Sequence, residues 1–132
     1  MDFTFINPDS LGAPSGYANG VLAEAGGRLL FIGGQIGWDQ NQNIISADLV
    51  EQFDRALANV IAVVEEAGGR PEQIARLVIY VTDKNEYRKQ MKEIGERYRV
   101  RMGKHFPAMV LVEVTGLLED SAKIEIEGVA VL

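Results

Sequence analysis

Only two stretches of this 132-residue chain carry apolar residues at helical spacing, and each carries a single stripe. The first starts at the capping pair Asp48 and Glu51. It continues through Phe53, Leu57, Val60 and Val64 at steps of four, three and four, until Gly68-Gly69 and Pro71 stop it. The second starts at Asp83 and Glu86 and runs through Tyr87, Met91, Ile94 and Tyr98 to about Gly103. The remaining apolar runs are short and β-like. Residues 17–24 and 28–33 flank Gly26-Gly27 and predict a hairpin, with room for a short first strand near Thr4 to Ile6. Residues 74–81 predict a buried strand, and residues 109–114 and 123–131 alternate with period two and predict a closing strand pair.

Two helices with one stripe each can cover only one face of a sheet this size. The predicted fold is therefore α+β, a mixed sheet with two helices packed on one face. The other face, with Leu30, Met109, Leu111, Val129 and Val131 as its candidate residues, needs a partner, so self-association is expected.

The length predicts a single domain over residues 1–132. No run approaches the roughly 18 apolar residues of a membrane span, and the first residues lack the pattern of a signal peptide. With no cysteine, neither disulfides nor thiolate chemistry is available, which fits a cytoplasmic protein. One histidine and no cysteine exclude the usual metal-ligand clusters, and no cofactor motif is present: Gly33-Gly34-Gln35-Ile36-Gly37 follows a strand without opening a helix. The net charge of −6 disfavours nucleic acid as a partner. Residues 84–104 nevertheless hold eight of the thirteen Lys and Arg against three Glu. Arg97, Arg99, Arg101 and Lys104 there either oppose the negative end of a helix dipole or form a rim that attracts anions.

An antiparallel register about the middle of residues 115–122 pairs Glu113 with Lys123, Leu111 with Glu125 and Met109 with Glu127, all on one surface, with Ile124 and Ile126 on the other. Glu127 is then an ionisable group between Ile126 and the small Gly128 in a strand that otherwise reads as core. It is the best candidate to move a proton or hold a water, although a solvated or ion-paired carboxylate fits the same pattern. His105 reads either as a hydrogen-bonded loop residue or as a site residue beside the basic helix end, and Trp38 as a packing anchor or a stacking group.

Several short pieces in order along the chain resemble the RidA/YjgF family: Gly16-Tyr17, Gly34-Gln35-Ile36, the helix end from Asn59 to Gly69, Val81-Thr82-Asp83, His105-Phe106-Pro107-Ala108 and Lys123-Ile124-Glu125-Ile126-Glu127. The resemblance runs from about Asn7 to Val131. It implies the chorismate-mutase-like fold, a homotrimer with its sheets facing inward, and three clefts between subunits that bind a small-molecule metabolite. Deaminases of that family hydrolyse reactive enamines and imines, holding the substrate carboxylate with an arginine and the water with a glutamate. Here Tyr17 matches the cleft tyrosine and Glu127 the glutamate, whereas Met109 stands in place of the arginine and Gly33 in place of a serine. Met109, Leu111 and Trp38 make the expected cleft apolar, and Arg101, Lys104 or His105 is left to supply a cation. Two functions follow: hydrolysis of a C=N bond in an altered substrate, or noncatalytic binding of a metabolite in the same clefts. A ribonuclease role, ascribed to some relatives, is disfavoured by the acidic chain and the lone histidine.

Overall fold

The computed structural model describes residues 3–24 and 26–132. Its elements in chain order are β1 (Phe3–Ile6), β2 (Gly20–Ala23), β3 (Leu29–Ile36), α1 (Leu49–Glu66), β4 (Ile74–Val81), α2 (Lys84–Lys89), α3 (Met91–Met102), β5 (Ala108–Glu113) and β6 (Ile124–Val131). β1 and β2 form a small antiparallel sheet, and the main sheet has the order β3-β6-β4-β5. Among the described residues no helix is long and apolar enough to cross a membrane.

α1 forms where its stripe and caps predict it. The Asp48 carboxylate accepts from the Glu51 amide at 3.0 Å, and Phe53, Leu57, Val60 and Val64 are buried against β3 and β6. The second predicted helix is two: α2 is capped by Asp83, and α3 restarts after Gln90, which leaves helical geometry at φ −111°. No glycine or proline marks that break. α3 packs on α1 through Ile94, Tyr98 and Met102.

The predicted hairpin does not form between its own arms: β2 pairs with β1, while β3 pairs with β6. Gly26 does take the left-handed conformation of a turn, at φ 106°, but a turn signal does not fix what its arms bond to. The closing strand pair is also corrected. β4 lies between β5 and β6, parallel to the first and antiparallel to the second. As the most apolar run, with Ile74, Leu77, Ile79 and Val81 buried, β4 gains most from two neighbours, and α2 with α3 provides the crossover that a parallel pair requires.

This topology changes which residues share a face. Met109 aligns with Leu77 and packs with Leu111 and Leu30 against the core beneath the helices, whereas Glu127 aligns with Val78 on the opposite face. Three of the five residues assigned to the open face thus belong to the covered one. Val129 keeps the parity of Glu127, joined by residues not anticipated: Leu29 (62% exposed), Phe31 (73%), Val110 and Val112. An uncovered apolar sheet face is present, built from a partly different set.

Arg101 has a structural commitment. Its Nε lies 2.7 Å from Asp54 Oδ1, and Arg97 joins Asp54 and Glu51 at 3.2 and 2.8 Å, clamping α3 to α1. The Arg101 hydrogen bond, opposed by burial, holds the Asp54 carboxyl below its usual range. A carboxyl whose pKa falls on folding stabilises the fold while ionised. Asp54→Asn is therefore expected to lower stability by about 1 kcal/mol at neutral pH. The deficit should be complete above about pH 4 and fade as the pH falls through the depressed value, which urea melts across that range would measure.

Candidate functional site

A cavity of about 610 Å³ opens between α2, α3 and the edge strand β5. Its apolar wall is Met109 and Leu111 from β5, Ile79 from β4, Ile94 from α3 and Phe106. Tyr17 reaches this wall because the loop carrying it is pinned to the start of β5: the Ala18 amide donates to Pro107 O at 3.0 Å, and Ala18 bridges Ala108. Gly16, at φ 75°, makes the turn that brings the loop there. Phe106 stacks on Tyr98 with centroids 5.3 Å apart, and the Tyr98 hydroxyl donates to His105 O at 2.6 Å. Burial pushes the Tyr98 phenol up, so it remains a donor.

His105 lies behind the wall. Its Nε2 is 2.7 Å from Ile74 O, and because a carbonyl can only accept, that nitrogen carries the proton. Phe3 and Phe5 pack on its ring. The side chain ties β1, β4 and the turn before β5 together and does not line the cavity. Arg101 does not line it either; the cations at the cavity are Lys84, Arg88 and Arg99. The sequence reading passed over the first two, and their spacing to Met109 has no local signature, because α2 meets β5 only through the crossover.

A second group of polar side chains lies on the open face. The Tyr80 hydroxyl donates a hydrogen bond to Glu127 Oε1. That bond raises the Tyr80 pKa above 10.0, so the phenol keeps its proton through neutral pH. Tyr80 was missed by the sequence reading, although its parity in β4, with Arg76 and Val78, sets it against the buried Leu77, Ile79 and Val81. At the neighbouring bulge in β3, the Glu125 carboxylate lies where any side chain at Gly34 would collide with it. Gly33 is open: nothing lies within 4 Å of where its Cβ would be.

Within one chain the structure brings Tyr17, Met109 and Leu111 together at the cavity, places Glu127 on the far side of the sheet, and leaves Gly33 in the bulge of β3, away from the cavity. Trp38 sits beyond β3, bridged to Ile44, its carbonyl accepting from Asn59 Nδ2 at 3.0 Å, and lines neither group. Among the described residues no three His, Cys, Asp or Glu side chains cluster as a metal site would require.

The family model described as endoribonuclease L-PSP matches residues 8–132. A RutC family protein of Pyrococcus horikoshii is 36% identical over 129 residues, covering 97% of this chain and 94% of that one. The 2-iminobutanoate/2-iminopropanoate deaminase of Escherichia coli is 31% identical over 134 residues, covering 99% and 98%. Among solved structures, YyfB of Yersinia pestis, a protein of unknown function of the conserved Rid family, superimposes with a TM-score of 0.86 at 31% identity and full coverage of both chains.

Proposed function

Because this chain belongs to the RidA/YjgF family, we propose that it hydrolyses a reactive enamine or imine metabolite in clefts shared by the protomers of a homotrimer. The observation that carries the reading is the Glu127–Tyr80 pair, a hydrogen-bonded carboxylate on an open and otherwise largely apolar sheet face. Met109 and Glu127 lie on opposite faces of one sheet, so a cleft that uses both draws them from two chains. Tyr17, Met109 and Leu111 of one protomer then wall the substrate, while Glu127 of its neighbour orients the water and Gly33 leaves room for it to approach.

The chemistry needs no cofactor. Water held by the Glu127 carboxylate adds its oxygen to the C=N carbon as a proton passes to nitrogen. The resulting carbinolamine collapses to the C=O product and expels ammonia. Tyr80, by keeping its proton, fixes one carboxylate oxygen and leaves the other for the water.

Met109 favours one alternative, a trimer that binds a metabolite without turning it over, because the site lacks a cation on β5. Ammonia release from 2-imino acids generated in place by an amino-acid oxidase separates the two readings. Catalysed release supports the hydrolase, and binding of the 2-oxo acid without release supports the binding protein.

The trimer has its own test. Phe31, 73% exposed in the single chain, stands on the face that assembly would bury, and a carboxylate there would be desolvated without a partner. Light scattering should give three chain masses for the wild type and one for Phe31→Glu. A monomeric wild type would remove the shared cleft altogether.

A further inference from the structure

The cavity beside Met109 is apolar in its walls and basic at one side. Lys84, Arg88 and Arg99 all line it, and among the described residues none of the three takes part in an ion pair. The one carboxylate in the lining, Glu113, accepts from the Lys84 amide at 2.8 Å through Oε2 and so serves the start of α2. By contrast, Arg97 and Arg101, on the same helix as Arg99, are spent on Asp54 and Glu51.

Gly95 gives this arrangement its point. A glycine inside a helix costs about 1 kcal/mol relative to alanine, so an isolated one calls for a reason. In α3 it lines the cavity, and Nη1 of Arg99, one turn further on, lies 3.3 Å from where its Cβ would be. Helical side chains lean toward the preceding turn, and with nothing at position 95 the guanidinium of the exposed Arg99 lies back along the helix at the rim of the cavity.

We propose that Arg99, supported by Arg88, is the carboxylate-binding cation of this protein, moved from the strand to the helix across the cavity, and that Met109 and Leu111 take up the space so vacated. The substrate class then narrows to monocarboxylates with a branched or aromatic tail: the carboxylate meets Arg99, and the tail packs on Met109, Leu111 and Phe106. A methyl-sized side chain would leave that apolar wall unfilled. This assignment rests on the cleft reading above for its chemistry but on the cavity alone for its binding.

The test uses calorimetric titration of the purified full chain with three stable probes: 4-methyl-2-oxopentanoate, pyruvate, and the neutral 4-methyl-2-pentanone. The branched acid should bind at least tenfold more tightly than either of the others. Arg99→Gln should weaken the branched acid by about tenfold, leave the ketone unchanged and be partly rescued by Arg99→Lys. Lys92→Gln, which removes an equal charge from the exposed part of α3, should have no effect. Equal loss in Arg99→Gln and Lys92→Gln would reduce the effect to the general field of a basic helix and overturn the assignment. So would a ketone that binds as well as the acid, or a branched acid indifferent to Arg99. Tight, Arg99-dependent binding without any ammonia release would instead sink the hydrolase reading and leave this one standing. Hydrolysis indifferent to Arg99→Gln would do the reverse.

Discussion

Leucine in place of Gln52 is expected to remove about 3–5 kcal/mol of stability, although the two side chains are close in size. Gln52 is fully buried in α1 and uses its whole amide: Nε2 donates to Ser46 O at 2.8 Å and to Ser121 O at 3.1 Å, and Oε1 accepts from the Lys123 amide at 2.8 Å. Leucine strands all three backbone groups, each worth about 1–3 kcal/mol when left unpaired. Little room exists for a compensating shift, because α1 lies so close to Gly37 that a methyl group there would sit 2.7 Å from Gln52 Cα. The effect should reach the open face as well, since Lys123 leads directly into β6 and so into Glu127. Urea denaturation gives the magnitude, and amide exchange at Lys123 should accelerate in step. A loss below 1 kcal/mol would mean that water or a rearranged backbone satisfies these groups.

Gln52 also shows where sequence reading ends. Its helix was legible because every determinant is local: the Asp48 cap, the stripe from Phe53 to Val64 and the glycines after it lie within about twenty residues. Its polar role was not, because Ser121 and Lys123 lie 69 and 71 residues away. Arg101 failed for the same reason. A basic residue near a helix end satisfies the dipole argument whether or not Asp54, 47 residues earlier, has already claimed it.

The strands divide along the same line. Alternation correctly set Glu127 apart from Ile124 and Ile126, since parity is a property of one strand alone. Carrying that parity over to Met109 required a pairing partner, and the single charge match of Glu113 with Lys123 could not reveal that β4 would insert between them. Both residues are in fact engaged elsewhere, Glu113 at the Lys84 amide and Lys123 with Glu86 at 2.9 Å. The family resemblance gave Glu127 and Tyr17 a place in one cleft. The topology sets Glu127 on the sheet face opposite the cavity that Tyr17 lines.

Glutamine at position 127 should lower the turnover of a hydrolysed imine by about 100- to 10,000-fold, the range of a positioned general base. The substitution is conservative where it must be. An amide oxygen can still accept from Tyr80, so the fold, the proposed trimer and the affinity for a 2-oxo acid should all persist, and the loss should fall on kcat rather than on binding. Tyr80→Phe should be milder, about tenfold, because it releases the carboxylate to other orientations without removing the base. The two effects should not multiply: with Glu127→Gln in place, adding Tyr80→Phe has little left to misorient. A double variant whose defect equals the product of the singles would separate Tyr80 from Glu127 and give the phenol a task of its own. Unchanged turnover in Glu127→Gln would move water activation away from β6, and Glu125, two residues earlier on the same face and lying over Gly34, would then be the carboxylate to replace next.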